Sequence, residues 1–156
     1  MPGFFSFFQP RQKISGHIVD LIQEEHHLPG HGNAYESYDF GIYFHHTAIR
    51  IGQCDLRIGM NRELYYAGNI GYRIYAQYRG HGYAYDACQL LLVLARDRFH
   101  MQEVIITCSP ENIASRMTLE KLGGTKVETV PVPHDHWLYQ RGETVKIIYL
   151  YPLSRN

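Results

Sequence analysis

Charge of one sign is missing from this chain of 156 residues: 15 Lys and Arg face 15 Asp and Glu, scattered along it, for a formal net charge of zero. Without a basic patch or stripe, nucleic acid and anionic membrane are not expected as main partners. Cysteine is scarce. Cys54, Cys88 and Cys108 form no close pair, and each lies in an apolar segment. That pattern excludes a disulfide framework and predicts buried, reduced thiols rather than a catalytic nucleophile. No apolar run approaches the ~20 residues of a membrane-spanning helix. The stretch Phe4–Phe8 is too short for a secretory leader and has no basic region before it, so a cytoplasmic protein is expected. Neither Cys-x-x-Cys nor His-Glu-x-x-His occurs, and Gly-Lys-Ser/Thr is absent, which excludes the common zinc signatures and a P-loop. Repeats, low-complexity tracts and linkers are absent too, so residues 1–156 are expected to form one domain able to bury a core without staples.

What the chain does contain is a turn running from Gln77 through Arg79, Gly80, His81, Gly82 and Tyr83 to Ala84. Before it, Asn69 to Tyr75 alternates like a half-buried strand. After it, Ala84, Ala87, Cys88, Leu91, Leu94 and Ala95 recur at helical spacing, and the pattern continues to Phe99. Glycines at a strand-to-helix turn let backbone N–H groups approach a ligand, and the helix N-terminus adds partial positive charge. The geometry predicts an anionic, nucleotide-like ligand. A Rossmann fingerprint would need Gly or Ala where Tyr85 stands. Further on, Val104 to Cys108 reads as a buried strand, broken by Ser109 and Pro110, and residues 112–124 as a helix closed by glycine. Other strands are expected over residues 16–25, 40–44, 49–58, 125–130 and 144–151, with loop at 28–33 and a turn at Gly59–Asn61 leading into Leu64–Tyr66.

The ten histidines include His26-His27, His45-His46 and the His134/His136 pair. Adjacent histidines on a strand point to opposite faces, so His45 and His46 are not expected to share an ion, and no metal is predicted.

In order and spacing, residues 69–124 resemble the GNAT acyltransferase superfamily. Gln77, Gly80 and Gly82 match its acyl-CoA pyrophosphate loop. Asn112, Ser115, Glu120, Lys121 and Gly123 match its second signature, in the form common among ribosomal-protein N-terminal acetyltransferases and their relatives. The resemblance implies an α/β fold: a single mixed, mostly antiparallel sheet flanked by helices. Family members usually place two helices between the first two strands, over the acceptor site. Residues 26–38 leave room here for one short helix, so the acceptor site is expected to be more open, or closed by a second copy in a homodimer.

The implied cofactor is acetyl-CoA. Its diphosphate would lie on Arg79, Gly80, His81, Gly82, Tyr83 and Ala84, its pantetheine along Ile74 and Ala76, with Asn112 and Ser115 beside it. The implied activity is transfer of an acetyl group to a primary amine, of a small molecule or a protein N-terminus, by direct attack. Such an amine has a reference pKa of about 10.4, so a base or water chain must take a proton at neutral pH. The family's strand glutamate aligns with Asn69, which cannot serve. Glu63, Asp39, Asp55 or an imidazole acting through water are the substitutes. The family's tyrosine acid aligns with Leu119; Ser115, three residues after Asn112, is implied in its place, and Tyr72 on the strand is a further candidate catalytic residue. The loop between the last two strands borders the acceptor pocket in this family, and exposed His134, His136, Trp137 and Tyr139 there are candidate acceptor contacts. Plainer readings stand beside these: Asn112 as a helix cap, Ser115 as a packing residue, Asn69 as a sheet residue, and the His134–Tyr139 segment as a packed loop. The alternative function is an acyl-CoA-binding module of the same fold that has lost efficient transfer.

Overall fold

The computed structural model describes residues 12–153, and Phe4–Phe8 lies outside them. Five strands pair antiparallel in chain order: β1 (Lys13–Ser15), β2 (Val19–His27), β3 (Glu36–Phe44), β4 (Arg50–Ile58) and β5 (Ile70–Ile74). A second antiparallel sheet joins β6 (Glu103–Cys108), β7 (Thr125–Pro131) and β8 (Val145–Pro152) in the order β6-β8-β7. The helices are α1 (Arg62–Ala67), α2 (Tyr83–Asp97), α3 (Ile113–Lys121) and α4 (Trp137–Gln140).

Helix α2 forms where the apolar spacing predicts it. Its Ala87, Cys88, Leu91, Leu94 and Ala95 are buried in one cluster with Leu21, Phe40, Ile42, Cys54 and Leu56 of the larger sheet. Strand alternation then sends Asp39, Asp55, Arg57 and Arg73 to the other face. A bulge between Gln23 and Glu25 lets Glu25 pair opposite Asp39, while Glu24 lies over Gly41 and grips Arg50 at 2.6 Å. The larger sheet therefore has one oily face under α2 and one ionised face. All three cysteines are buried and free, as expected.

Asn69 clamps the two sheets together where β5 begins. At the entrance to β5 its backbone N–H donates to Ile105 O at 2.6 Å, and its side-chain Oδ1 accepts from Ile105 N at 2.8 Å. Its Nδ2 donates to Arg57 O and Gly59 O at 2.9 and 2.8 Å. The residue is 1% exposed and links β5 to β6 at one point; among the described residues β5 and β6 belong to separate sheets. The antiparallel strands and flanking helices expected are present, but the sheet is divided there rather than single.

Three local expectations are corrected. Among the described residues no helix lies between β2 and β3: β2 runs on to His27, and residues 28–35 turn back through a bridge between Gly30 and Asn33. The segment after Gly59 is a short helix, α1, capped by Asn61 Oδ1 accepting from Leu64 N at 2.9 Å. Six residues carry too little periodicity to reveal a helix in the sequence. His45 and His46 lie in the turn after β3, not on a strand, and their rings stack at 3.6 Å. Both are held by Asp20, which accepts from His46 N at 2.8 Å and pairs with His45 Nδ1 at 2.9 Å.

Candidate active site

β5 ends at Ile74, and the chain makes a short 3-10 turn at Ala76–Tyr78 before α2. Gly80 and Gly82 hold φ of +85° and +80°, in the left-handed region that costs little only for glycine. A Cβ at either position would meet nothing within 4 Å, which leaves the loop amides open to a ligand at the N-terminus of the 15-residue α2. Arg79 Nε donates to Ile74 O at 2.9 Å and ties the loop back to the strand end. A cavity of about 550 Å³ runs from this loop to α3. It brings together Tyr72, Ile74, Arg79, Gly80, Gly82, Tyr83, Ala84, Asn112 and Ser115 from the sequence candidates. Ala76 and His81 are exposed and do not line it. Tyr78, Met117 and Thr118 line it without having been singled out. The signal for Thr118 was its position three residues after Ser115, one helical turn on.

At the inner end of this cavity the Tyr72 phenol donates to Ser115 Oγ at 3.1 Å. Burial pushes the Tyr72 pKa up to about 12, and hydrogen bonds to Ser115 and Thr118 offset only part of that. The phenol is therefore a protonated donor at neutral pH. Asn112 does cap α3, its Oδ1 accepting from Ser115 N at 3.1 Å, yet it lines the cavity as well. The cap uses only the carbonyl oxygen of the amide.

Beyond Tyr72 the space continues. A cavity of about 250 Å³ lies between β5 and β6, walled by Gly71, Tyr72, Thr107, Asn112 and Ser115 and bordered by Trp137, Arg141 and Lys146. Another of about 510 Å³ spreads over the ionised sheet face and includes Asp55, Arg57, Gly71 and Tyr72. Tyr72 lines all three. Glu63 is not brought to this junction. It lines a separate cavity of about 440 Å³ with Tyr35, Asp39 and Trp137, and its Oε2 lies 3.3 Å from His136 Nε2.

The expectation of an exposed His136 is overturned: it is fully buried. Its Nδ1 accepts from Leu138 N at 3.1 Å to cap α4, which leaves Nε2 to carry the proton, 3.1 Å from Glu63 O. With both ring nitrogens engaged it pins α4 to α1. His134 is exposed, its ring 4.3 Å from that of Tyr139, and neither lines these four cavities. Trp137 alone of that segment's candidates faces the clefts. Among the described residues, Glu25, His27 and Asp39 have ligand atoms within 4.8 Å of one another. His27 Nε2 sits between the two carboxylates at 3.1 and 3.0 Å, in an ion-paired cluster.

Residues 7–125 match the profile of the acetyltransferase (GNAT) domain, well over half of the chain. The chain belongs to the GNAT acetyltransferase family. Over 72 residues it is 31% identical to YnaD of Bacillus subtilis, an uncharacterized N-acetyltransferase; the match takes in 44% of this chain and only 42% of that protein. Among solved structures, RimL, a ribosomal alpha-N-protein acetyltransferase in complex with coenzyme A, superposes with a TM-score of 0.67 at 13% identity, over 91% of this chain and 98% of RimL. A GNAT-family acetyltransferase from Bacillus anthracis gives 0.60 at 23% identity, over 75% and 67% of the two chains. At these identities the likeness is one of fold. GNAT acetyltransferases take their acyl group from acetyl-CoA, and the open glycine loop at a helix N-terminus suits its diphosphate. Two positions depart from the family pattern. Leu119, where the tyrosine acid would stand, is fully buried, and its carbonyl accepts from Tyr151 Oη at 2.7 Å. Asn69, where the glutamate would stand, is the clamp between the sheets.

Proposed function

We propose that this GNAT chain transfers an acetyl group from acetyl-CoA to a primary amine by direct attack on the thioester. The supporting observation is the Tyr72–Ser115 hydrogen bond, whose two residues line both the loop cavity and the cleft between β5 and β6, with Tyr72 bordering the cavity over the ionised face as well. The diphosphate occupies the loop from Arg79 to Ala84, and the acyl end reaches the Tyr72–Ser115 pair. The amine enters through the adjoining clefts that share Arg57, Gly71 and Tyr72. The family's tyrosine is replaced in role by a phenol from a different element: β5 supplies through Tyr72 what α3 lacks at Leu119.

The phenol acts by hydrogen bonding. A thiol leaves with a reference pKa of about 8.5, whereas Tyr72 is pushed up to about 12, so outright proton transfer to the thiolate is roughly 5 kcal/mol uphill. Donation of a hydrogen bond, directly or relayed through Ser115, carries no such penalty and stabilises charge developing on the leaving sulfur. Release of CoA across a panel of primary amines, with mass spectrometry of the acceptor, tests the activity. Tyr72→Phe should then lower turnover about 10- to 100-fold with acetyl-CoA affinity unchanged, and Ser115→Ala less. A Tyr72→Phe enzyme with full turnover would remove the phenol from the mechanism.

A further inference from the structure

Directly opposite residues in a sheet put their side chains on one face, and the row that crosses the larger sheet reads Glu25, Asp39, Asp55, Gly71. Like charges in such positions oppose sheet stability. One cation and one imidazole meet this row: Arg57 Nε donates to Asp55 Oδ2 at 2.6 Å, and His27 Nε2 lies 3.0 Å from Asp39 Oδ2. The row ends at a gap. A Cβ at Gly71 would fall 2.6 Å from Asp55 Oδ1, so only glycine leaves that oxygen room beside β5. Gly71 puts no side chain over this face, and the adjoining Tyr72, whose phenol projects to the other face of β5 beside the core, borders the same cavity as Asp55.

We propose that Asp55 takes the proton from the acceptor amine, with Asp39, directly opposite it on β3, as a positioning residue. The proposal rests on the acetyltransferase reading above. An acceptor ammonium gives one proton to Asp55, and the freed lone pair forms the C–N bond at the thioester carbon. The C–S bond breaks with its electron pair left on sulfur. The nitrogen loses its second proton to water, the thiolate takes one up, and Asp55 returns its proton to solvent. One proton is released per turnover, and acetyl-CoA is the only co-reactant.

The groups around Asp55 favour this role. Burial raises its carboxyl above the usual range; Arg57 on its own strand and the Gly71 N–H on β5 offset part of this, and Asp39 on β3 adds to it. Tyr35 from the turn before β3 also senses the Asp55 charge, and Glu24, Glu25, Arg50, Arg73 and Arg141 line the same cavity. A carboxylate of raised pKa is a better match to an amine's proton than an ordinary one.

The test has two arms. In the first, aspartate carboxyl carbons are titrated by NMR in the CoA-saturated protein, with Asp55→Asn supplying the assignment. The Asp55 signal should titrate above the usual carboxylate range and move to lower pH in Asp39→Asn. In the second, the amine found in the panel is used for pH–rate profiles. Asp55→Asn, which keeps a hydrogen bond to Arg57, should turn over about 100-fold more slowly at pH 7 and recover as rising pH strips the amine of its proton. Acetyl-CoA affinity and melting temperature should stay close to wild type. In Asp39→Asn the acid limb should shift to lower pH. An ordinary Asp55 titration unmoved by Asp39→Asn, or a wild-type pH profile in Asp55→Asn, overturns the assignment while the acetyltransferase reading stands. A wild-type protein that turns over no amine overturns both.

Discussion

Asn69 uses both amide N–H groups and its carbonyl oxygen, and it does so at 1% exposure. The family's glutamate could not take over this work, because it lacks the two donors that reach Arg57 O and Gly59 O. Asn69→Ala should cost about 3 kcal/mol in denaturant unfolding, since it strands the Ile105 N–H and two carbonyls. Asn69→Glu should lose stability by a similar amount and gain no turnover. A stable Asn69→Glu protein with raised activity would show that the clamp is replaceable and that β5 can carry a base. Tyr72 shows the reverse relation between residue and role: it stands where no family pattern asks for a catalytic group, and folding brings its phenol to Ser115.

At the scale of the element, the loop into α2 does two jobs with two glycines. Both adopt positive φ, and both leave their amides uncovered. Separate substitutions distinguish backbone strain from charge. Gly82→Ala adds only the steric cost of the left-handed conformation, roughly 1–2 kcal/mol. Gly82→Asp adds the same strain and a carboxylate near the diphosphate, worth about 3 kcal/mol more at ~5 Å and an effective dielectric of 20. Calorimetry with acetyl-CoA should therefore show Gly82→Asp binding about 100-fold more weakly than Gly82→Ala. Equal affinities of the two variants would place the diphosphate elsewhere. The turn at residues 28–35 matters for the opposite reason. It is too short to lay a helix over the ionised sheet face; one cavity there is bordered by strand residues and Arg141, the other by residues 32–35 of the turn itself, Glu63 and Trp137.

For the whole molecule, Asp20 joins the edge of the larger sheet to the turn after β3. Its side chain is 1% exposed and contacts His45, His46 and, at 3.4 Å, Lys13. Burial alone would raise its carboxyl, but the His46 N–H and the His45 and Lys13 charges outweigh it and hold the pKa at about 2. A pKa lowered by folding stabilises the protein above the unfolded value and loses that contribution as pH falls through the folded one. The window is about pH 4 down to about pH 2, and the contribution is roughly 2.5 kcal/mol. Unfolding free energies of wild type and Asp20→Asn should converge by that order across this window. A constant difference between the two from pH 5 to pH 2 would show that Asp20 titrates like a free carboxylate.

The glycine loop, the α2 stripe, the buried β6 and the capped α3 were legible because each is written in local spacing: 3.6-residue periodicity, a polar cap, glycine at a turn. Phe40 and Ile42, on one face of the strand expected at 40–44, are buried in the core as its alternation implies. Local spacing could not say that Asn69 clamps two sheets together, because the atoms it binds belong to Arg57, Gly59 and Ile105, each at least ten residues away in the chain. Nor could it separate His136 from His134, two positions apart, one buried with both nitrogens engaged and one exposed. The candidate site divides in the same way. The cofactor loop is contiguous and could be read directly. The Tyr72–Ser115 pair and the row from Glu25 to Gly71 exist only through strand register and the packing of α3 against α2 and β6. Register is fixed by which face of each strand is buried, a choice the whole core makes together, so only the tertiary structure decided that Tyr72 meets Ser115 and that Asp55 lies beside Gly71.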